Sequence, residues 1–578
     1  MTHGLLTAAA LALGAAALIS TASASALDRS AHVPEWPSET SVLFVDSRGD
    51  DAASGTRETP LRSISAALSR ARSGGSSDPI QIHVSIGTYD AEAGERFPLD
   101  LTGGVSLSGL GSGTAIIDAG DAPLALRLGV ESTGRAQLTG LTVRGSGVGL
   151  ALGSVPDGSA APREVLLEDV LFEGLATGVA LDLGSAAEPL PILFKANGMR
   201  TQGTRFGLRA LGEGRLEMSL VGCDMRDGAI GIALECDPNE NIDEPRGAEE
   251  EGVANVWHDV SLEDCTISGM TQAGVLRVGR DGRNRGGPYR FTDCTFRDNL
   301  IGIEFRRPCL DSGIVIKGSR FLANELFGLR LTGFLGDGSA KGVQAEPVNP
   351  EVKGNLIQDC LFRWNGVGAH ITSSQQALFV SRSSFRNNRG NGLYVANFLT
   401  EPTAVIIGNS LFARNGSYGI YSLADGRLQS VSIQSCTVVD NDAGGIRDHR
   451  RHSGSSNFAL VGSIVVGNGD GNDLADMDPE LARYCLVGRL TADPEARAAF
   501  ARAGNLTDRA PRFLDRTLGD YRLAEDSPCR LRFAAGALEL DQTDALPRAL
   551  PLAWTRDLAG DERVEEGLLN AMGCFGVR

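Results

Sequence analysis

The chain has 578 residues, a net charge of −18, 42% hydrophobic residues, 73 glycines and only 6% aromatics. A uniformly acidic surface excludes nucleic acid as the main partner, because phosphate binding needs a basic footprint. The hydrophobic content suffices for a large core, while frequent glycine and few aromatics call for many turns and slim interior side chains.

From the N-terminus, an apolar run from Leu5 to Ile19 precedes Ala24-Ser25-Ala26, an A-x-A cleavage site before Leu27. This predicts a signal peptide over residues 1–26 and an exported mature protein. The run is short for a membrane span, and no later stretch reaches spanning length. Next come a cap with the first coils over 27–125, central repeats over 126–470 and a C-terminal coil and capping region over 471–578.

The central region repeats itself. Leu220, Cys223, Met225, Gly231, Ile232 and Leu234 are echoed by Phe291, Cys294, Phe296, Gly302 and Ile303, and again by Ile316, Ser319, Phe321, Gly328 and Leu329. The small-residue position runs Leu141, Val170, Asn197, Cys223, Cys265, Cys294, Ser319, Cys360, Ser383, Ser410, Cys436 and Ser463, mostly in steps of 23 to 29 residues. Two steps are longer, 42 from Cys223 to Cys265 and 41 from Ser319 to Cys360, because of insertions near Glu235–Trp257 and Thr332–Gly354. Short segments alternating apolar and polar, a period near 25 and one glycine per coil predict an all-β, right-handed parallel β-helix of about 12 or more coils. A left-handed hexapeptide helix is excluded by a period that is not a multiple of six.

Asn299, Asn324, Asn365, Asn388, Asn415, Asn441 and Asn468 recur three residues after an inward side chain. They are expected to occupy the left-handed backbone of a tight turn, a structural role. Five of the ten cysteines, Cys223, Cys265, Cys294, Cys360 and Cys436, share the small-residue position. Stacked neighbours about 4.8 Å apart are too distant for a disulfide, so these five are expected to form a reduced internal stack. Cys236, Cys309, Cys485, Cys529 and Cys574 fall in loops or the C-terminal region and are available for pairing.

At the N-terminal side, Val45-Asp46, Gly49-Asp50-Asp51, Gly55-Thr56 and Pro60-Leu61-Arg62-Ser63-Ile64 resemble the cap of bacterial pectin-lyase-like β-helix proteins of the domain-of-unknown-function 1565 type. The resemblance continues through Ile82-His83-Val84, Gly87-Thr88-Tyr89, Phe97-Pro98-Leu99, Val105, Leu107, Gly109 and Ile116-Ile117-Asp118. It implies that the amphipathic segment Leu61–Arg72 is a short capping helix plugging the open end, where core and strand edges would otherwise be exposed. Ser463-Ile464-Val465, Tyr484-Cys485-Leu486-Val487, Gly519-Asp520-Tyr521-Arg522-Leu523, Ser527-Pro528-Cys529 and Asp557–Arg563 resemble the tail of bacterial surface β-helix proteins with a choice-of-anchor C-terminus. That tail carries Asp-x-Gly after Ser-Pro and Asp-Ile-Gly-Ala near its end. Here those places read Arg530-Leu531-Arg532 and Asn570-Ala571-Met572-Gly573.

The superfamily includes pectate lyases, polygalacturonases and proteins without known activity, so fold does not assign a reaction. The Asn-Thr-Asp, Asp-Asp, Gly-His-Gly and Arg-Ile-Lys strings of polygalacturonases are absent. The candidate site is instead an outward ladder, one residue per coil after the repeating glycine: Glu304, Arg330, His370, Tyr394, Tyr421 and Arg447. Sugar rings stack on aromatic faces and arginine pairs with carboxylates; His370 or Arg330 would be the base if its pKa were lowered. Earlier coils place Ala180, Arg209 and Ala233 there, and the insertions and Arg277–Arg290 would wall the groove. Asp448-His449-Arg450-Arg451-His452 is a second polar cluster. Gly469–Leu474 resembles a single Ca²⁺-binding nonapeptide, making Ca²⁺ the one metal to consider, and the acidic insertion carrying Asp237, Glu240, Asp243, Glu244 and Glu249–Glu251 is read as a solvated loop. The reading favoured by the sequence is a secreted monomer that binds extracellular or cell-surface polysaccharide. The alternatives are a lyase or glycoside hydrolase acting on uronate-containing glycans, and a surface protein without ligand.

Overall fold

Short alternating segments cannot bury an apolar face alone, and the repeat solves this by stacking each coil on the next. In the computed structural model every coil supplies one strand to each of three parallel sheets, here A, B and C in chain order. Sheet A has 16 strands from Ser41–Val45 to Ala482–Arg483, sheet B has 16 from Gly87–Tyr89 to Leu506–Thr507, and sheet C has 14 from Leu99–Leu101 to Leu474–Ala475. The winding is right-handed, as the twist of parallel strands favours. The structure describes residues 41–575 apart from 74–79, 102–103, 129–133, 154–161, 185–189, 213, 236–257, 280–287, 307–312, 333–354, 373–376, 398–402, 425–428, 451–456, 470–472, 478–480, 491–492, 531–532, 535–556, 560–568 and 571. The expected signal peptide, the acidic insertion, the second insertion, Cys236 and Cys309 lie outside the described residues.

Inward residues of successive coils stack like on like. Phe296, Phe321, Phe362, Phe385 and Phe412 form one column, with ring centroids 4.5 to 5.1 Å apart and planes within 16°. All five are fully buried, and offset stacking adds to the hydrophobic gain.

Two left-handed residues turn each coil. One precedes the small-residue position: Asp293, Gly318, Asp359, Arg382, Asn409 and Ser435 have φ between +45° and +60°. The serine hydroxyls and cysteine thiols that follow donate back across this corner, from Ser319 to the Lys317 carbonyl at 3.0 Å and from Cys360 to the Gln358 carbonyl at 3.1 Å. Cys223, Cys265, Cys294 and Cys360 form no disulfide, as expected. Burial pushes the Cys360 thiol up to about 12, so it stays protonated at neutral pH. Two expectations need correction. Cys485 is a further member of this stack, because the Ser463 amide donates to its sulfur at 3.5 Å. Met199, not Asn197, is equivalent to Val170 and Cys223, since the Arg200 and Asp224 amides bond the Val170 and Met199 carbonyls.

The second left-handed residue is not the repeating asparagine but the residue before it: Asp298, Ala323, Trp364, Asn387, Arg414, Asp440 and Gly467 have φ from +54° to +67°. The asparagine side chain is thereby released to bond along the helix axis. Each carboxamide oxygen accepts from the previous coil's Asn, and each Nδ2 donates to the next. Asn365 Nδ2 to Asn388 Oδ1 is 3.0 Å, Asn388 to Asn415 2.9 Å, Asn415 to Asn441 2.8 Å and Asn441 to Asn468 2.8 Å. Asp473 ends the ladder, its Oδ1 accepting from Asn468 N and Nδ2 at 3.0 and 2.8 Å. The segment resembling a Ca²⁺ nonapeptide thus contributes its described acid to a structural cap.

The helix Ile64–Ser73 closes the N-terminal end, burying Ile64, Ala67, Leu68 and Ala71. The buried Glu95 carboxylate accepts from the Ile64 and Ser65 amides at 2.6 and 2.8 Å, satisfying first-turn donors that have no helical partner. A second helix, Pro494–Arg502, precedes the last strand of sheet B, and the hairpin Phe513–Asp515 with Asp520–Leu523 follows it. The hairpin is pinned to sheet B by Tyr521 Oη on Asp440 at 3.1 Å. Arg277 projects inward, correcting its expected place in a groove wall: fully buried, it donates from Nε to Tyr289 Oη at 3.0 Å.

Asn388→Ala should destabilise the fold by at least about 2 kcal/mol, because it strands buried donors and acceptors on two coils. Asn387→Gly should change stability by less than about 0.5 kcal/mol, since glycine takes the left-handed backbone without strain. Urea unfolding of both variants checks the pair; equal losses would contradict the assignment of roles.

Candidate functional site

In sheet C the repeating glycine precedes the inward residue, and the ladder residue follows that. At Gly328 an added Cβ would lie 2.6 Å from the Gly368 carbonyl oxygen, and at Gly302 2.4 Å from that of Gly328. Close approach of neighbouring coils therefore requires glycine there, and this approach brings the outward side chains into one column.

The register pairs Glu304 with Arg330, Arg330 with His370, His370 with Tyr394, Tyr394 with Tyr421 and Tyr421 with Arg447. All six predicted residues thus stand on consecutive coils of one face, joined by ring and ion contacts, with Phe327 bridging Arg330 and His370. His370 and Tyr394 centroids are 4.6 Å apart, and Tyr394 stacks on Tyr421 at 5.3 Å. Three further side chains complete the strip. Phe327 meets His370 edge-on at 5.1 Å, Tyr418 meets Tyr421 edge-on at 5.5 Å, and His449 lies 6.4 Å from Tyr421. The signal for Phe327 and Tyr418 was present: each stands immediately before the repeating glycine, three residues ahead of a ladder member.

Ions close both ends. Glu304, expected as an accessible member of the outward ladder, is only 2% exposed. Its carboxylate accepts from Arg306 Nε at 2.9 Å and Arg330 Nη1 at 3.2 Å, and Arg330 lies 5.2 Å over the Phe327 ring. At the other end Arg447 lies 5.7 and 5.6 Å from the Tyr418 and Tyr421 centroids. It donates to Asp476 at 2.9 Å and contacts His449 Nδ1 at 3.3 Å. Upstream the column turns apolar and buried at Ala233 and Leu276, while Arg209 is paired with Glu235 at 2.6 Å. The solvent-accessible strip thus begins at Arg330.

This chemistry suits binding better than proton transfer. Arg330 is ion-paired with Glu304, and a guanidinium does not act as a base. His370 is depressed to about 4 by burial and then by the Arg330 charge, so its imidazole is neutral and weakly basic at pH 7. Both of its ring contacts are aromatic rather than carboxylate. Within the Asp448–His452 cluster, Asp448 points inward, buried and accepting from Ser422 Oγ at 3.2 Å, while His449 points outward; residues 451 and 452 lie outside the described residues. Among the described residues no three His, Cys, Asp or Glu side chains come together to hold a metal ion.

Residues 47–139 match the family described as "Protein of unknown function (DUF1565)", and residues 335–471 match "Right handed beta helix region". The chain carries a right-handed parallel β-helix. No curated protein matches it. Among solved structures, this β-helix is similar to the A-module of Azotobacter vinelandii mannuronan C-5 epimerase, with 16% identity over 68% of this chain and 94% of that one and a TM-score of 0.39. It is similar to tailspike protein 3 of bacteriophage CBA120, with 13% identity, 81% and 61% coverage and a TM-score of 0.41. A GH87 α-1,3-glucanase catalytic unit from Streptomyces thermodiastaticus shares 14% identity over 77% and 71%, with a TM-score of 0.36. Likenesses this distant assign no residue. Among the described residues, no helix is long and apolar enough to cross a membrane.

The depressed His370 has a consequence for stability. Between the ordinary histidine value of about 6.5 and the folded value of about 4, the unfolded chain binds more protons than the folded one. Stability is therefore fully present above the unfolded value and is lost as pH falls towards the folded one. His258, fully buried and lowered to about 3 by burial and then by Arg277, acts in the same direction. Calorimetric melts should show a smaller drop in Tm from pH 7 to pH 4.5 for His370→Phe than for the parent; equal drops would contradict the assignment.

Proposed function

We propose that this β-helix is an exported protein that binds extracellular or cell-surface polysaccharide along the outer face of sheet C. One observation carries the reading: Phe327, His370, Tyr394 and Tyr421 form an unbroken run of ring contacts on consecutive coils, with Tyr418 at its edge. Ring faces repeating along a straight axis suit a linear chain of pyranose rings, which present apolar C–H faces to aromatics. Arg330 and Arg447 at the ends carry hydrogen-bond donors for hydroxyl or carboxylate oxygens, and each is already aligned by an acid and a ring. Aromatics locked against their neighbours lose little entropy on binding.

A second reading, a lyase acting on uronate-containing glycans, has one supporting feature. Arg447, His449, Asp476 and Tyr421 converge at the C-terminal end of the strip, and of the two outward histidines in the strip only His449 has a carboxylate near it, Asp476 at 3.8 Å. The proposed base then moves from His370 to His449.

A panel of neutral and uronate-containing polysaccharides, tested by calorimetry with and without Ca²⁺ and by ultraviolet absorbance of unsaturated products, separates the readings. Each aromatic contact is worth about 0.5–1.5 kcal/mol, so Tyr394→Ala should weaken binding about 2- to 10-fold and the Tyr394→Ala/Tyr421→Ala pair more than about 10-fold. Rising absorbance abolished by His449→Ala would establish the lyase instead. Absence of binding across the panel would overturn both.

A further inference from the structure

Sheet B carries a feature that the sheet C strip does not use. Its strands Leu361–Arg363 and Ser384–Arg386 pair in parallel, placing Arg363 directly beside Arg386. Phe362 and Phe385 between them point inward and stack at 4.5 Å, so both arginines face outward on adjacent coils. Three other outward arginines of this sheet are met by acids: Arg144 by Asp118, Arg226 by Asp224, Arg297 by Asp298. Arg363 and Arg386 have no such acid among the described residues. Their neighbours on the flanking coils are Leu322 and Ala413, and neither guanidinium forms an ion pair or hydrogen bond with the described residues. The nearby Asp359 carboxylate is taken by Arg382 through bonds of 2.7 and 2.6 Å.

Three donors are thereby left over on one patch. Arg363 Nε, Arg386 Nε and the Ser384 hydroxyl are each buried without a partner, and the hydroxyl stands on the same strand and face as Arg386. Two like charges side by side with orphaned donors are unfavourable in the ligand-free protein, and more conspicuous in a chain of net charge −18. The next residue adds an independent observation. Trp364 adopts φ +62°, a region that bulky side chains avoid and that marks functional strain when they do not. Equivalent corners carry Asp298, Ala323, Asn387, Arg414, Asp440 and Gly467, so Trp364 is the one aromatic residue among them. The indole is 51% exposed, with the Arg363 guanidinium 3.8 Å over its ring.

We propose that Arg363, Arg386, Ser384 and Trp364 form a second binding site, which takes an oxyanion carried on a sugar ring. The paired guanidinium groups and the hydroxyl bind the anion, and the exposed part of the indole packs against the ring. A carboxylate and a sulfate share the required chemistry, because arginine pairs accommodate either. The site lies on a different sheet from the aromatic strip and does not depend on the strip's function.

The test is calorimetric titration of the full chain with cellobiose, its 6-carboxylate, its 6-sulfate and inorganic sulfate, alongside tryptophan fluorescence. Both acidic disaccharides should bind at least 10-fold more tightly than cellobiose and more tightly than inorganic sulfate. Binding should perturb the fluorescence in the parent but not in Trp364→Phe. Arg363→Gln and Arg386→Gln should each weaken binding at least 10-fold and, with the repulsion relieved, melt no lower than the parent. The Tyr394→Ala/Tyr421→Ala variant should bind these ligands unchanged, which separates failure of this site from failure of the strip. Cellobiose binding equally well, affinity unchanged in both glutamine variants, no binding of either acidic disaccharide, or sulfate binding as tightly as the sugars (an adventitious ion only) would each overturn the proposal.

Discussion

An asparagine carboxamide offers two donors and an acceptor, and in this molecule they are spent along the helix axis. From Asn299 to Asn468 each side chain accepts from the coil before and donates to the coil after, and Met270 and Asp473 supply the terminal amide and carboxylate. The ladder is buried, so a slipped coil would leave several polar groups without water or partner, each costing about 1–3 kcal/mol. Register is therefore fixed between Met270 and Asp473, and the other columns of these coils inherit it: the phenylalanine stack inside, the thiol and hydroxyl stack at the opposite corner, and the two outward rows. The glycine column permits the close approach of neighbouring coils.

Fixed register turns a solenoid surface into a set of straight one-dimensional sites. A side chain placed once per coil faces its counterpart across a single parallel strand spacing of about 4.8 Å. On sheet C this yields contiguous rings, and on sheet B it sets two arginines side by side. The same rule makes charge expensive unless it is balanced, as Glu304 shows. Buried in the outer row, it is held by Arg306 and Arg330 together. A buried carboxylate with a missing partner is strongly destabilising, so these arginines both secure the end of the strip and neutralise it. Arg363 and Arg386 break that pattern, and this is why their patch points to a ligand from outside.

Much of this was legible in the residues. The period near 25, the small-residue position and the inward column followed from spacing, and the six-residue ladder on sheet C fell into one register because each member was counted from the same glycine. What could not be read were features set by backbone conformation and depth. The asparagines announced a tight turn, but only the dihedral angles show that the preceding residue carries the left-handed strain while the carboxamide is free to bridge. Asn197 was mistaken for Met199 because the left-handed Gly198 between them breaks the alternation at the corner, leaving Asn197 exposed and Met199 buried. Glu304 was read as an accessible member of the outward ladder and Arg277 as part of a groove wall because charge usually lies at the surface, whereas one lies under two guanidiniums and the other inside the core. Cys485 was missed as a stack member because the polar spacing around it departs from the earlier repeats. Trp364 and the arginine pair left no sequence signal beyond their proximity, since the absence of a countercharge is visible only once neighbouring coils are in place.

Hydrogen exchange of the full chain with and without a bound polysaccharide tests the central claim most directly, because a ligand lying along a column must protect the strands of one sheet on successive coils. Protection should rise in peptides covering Phe327–Thr332, Val367–Thr372, Leu393–Asn397, Tyr418–Ala424 and Gly444–Arg450, all of sheet C. It should not rise in the intervening sheet A strands Leu378–Ser381 and Gln429–Gln434. Protection confined to sheet A, or to a single coil, would contradict an axial strip as the binding surface.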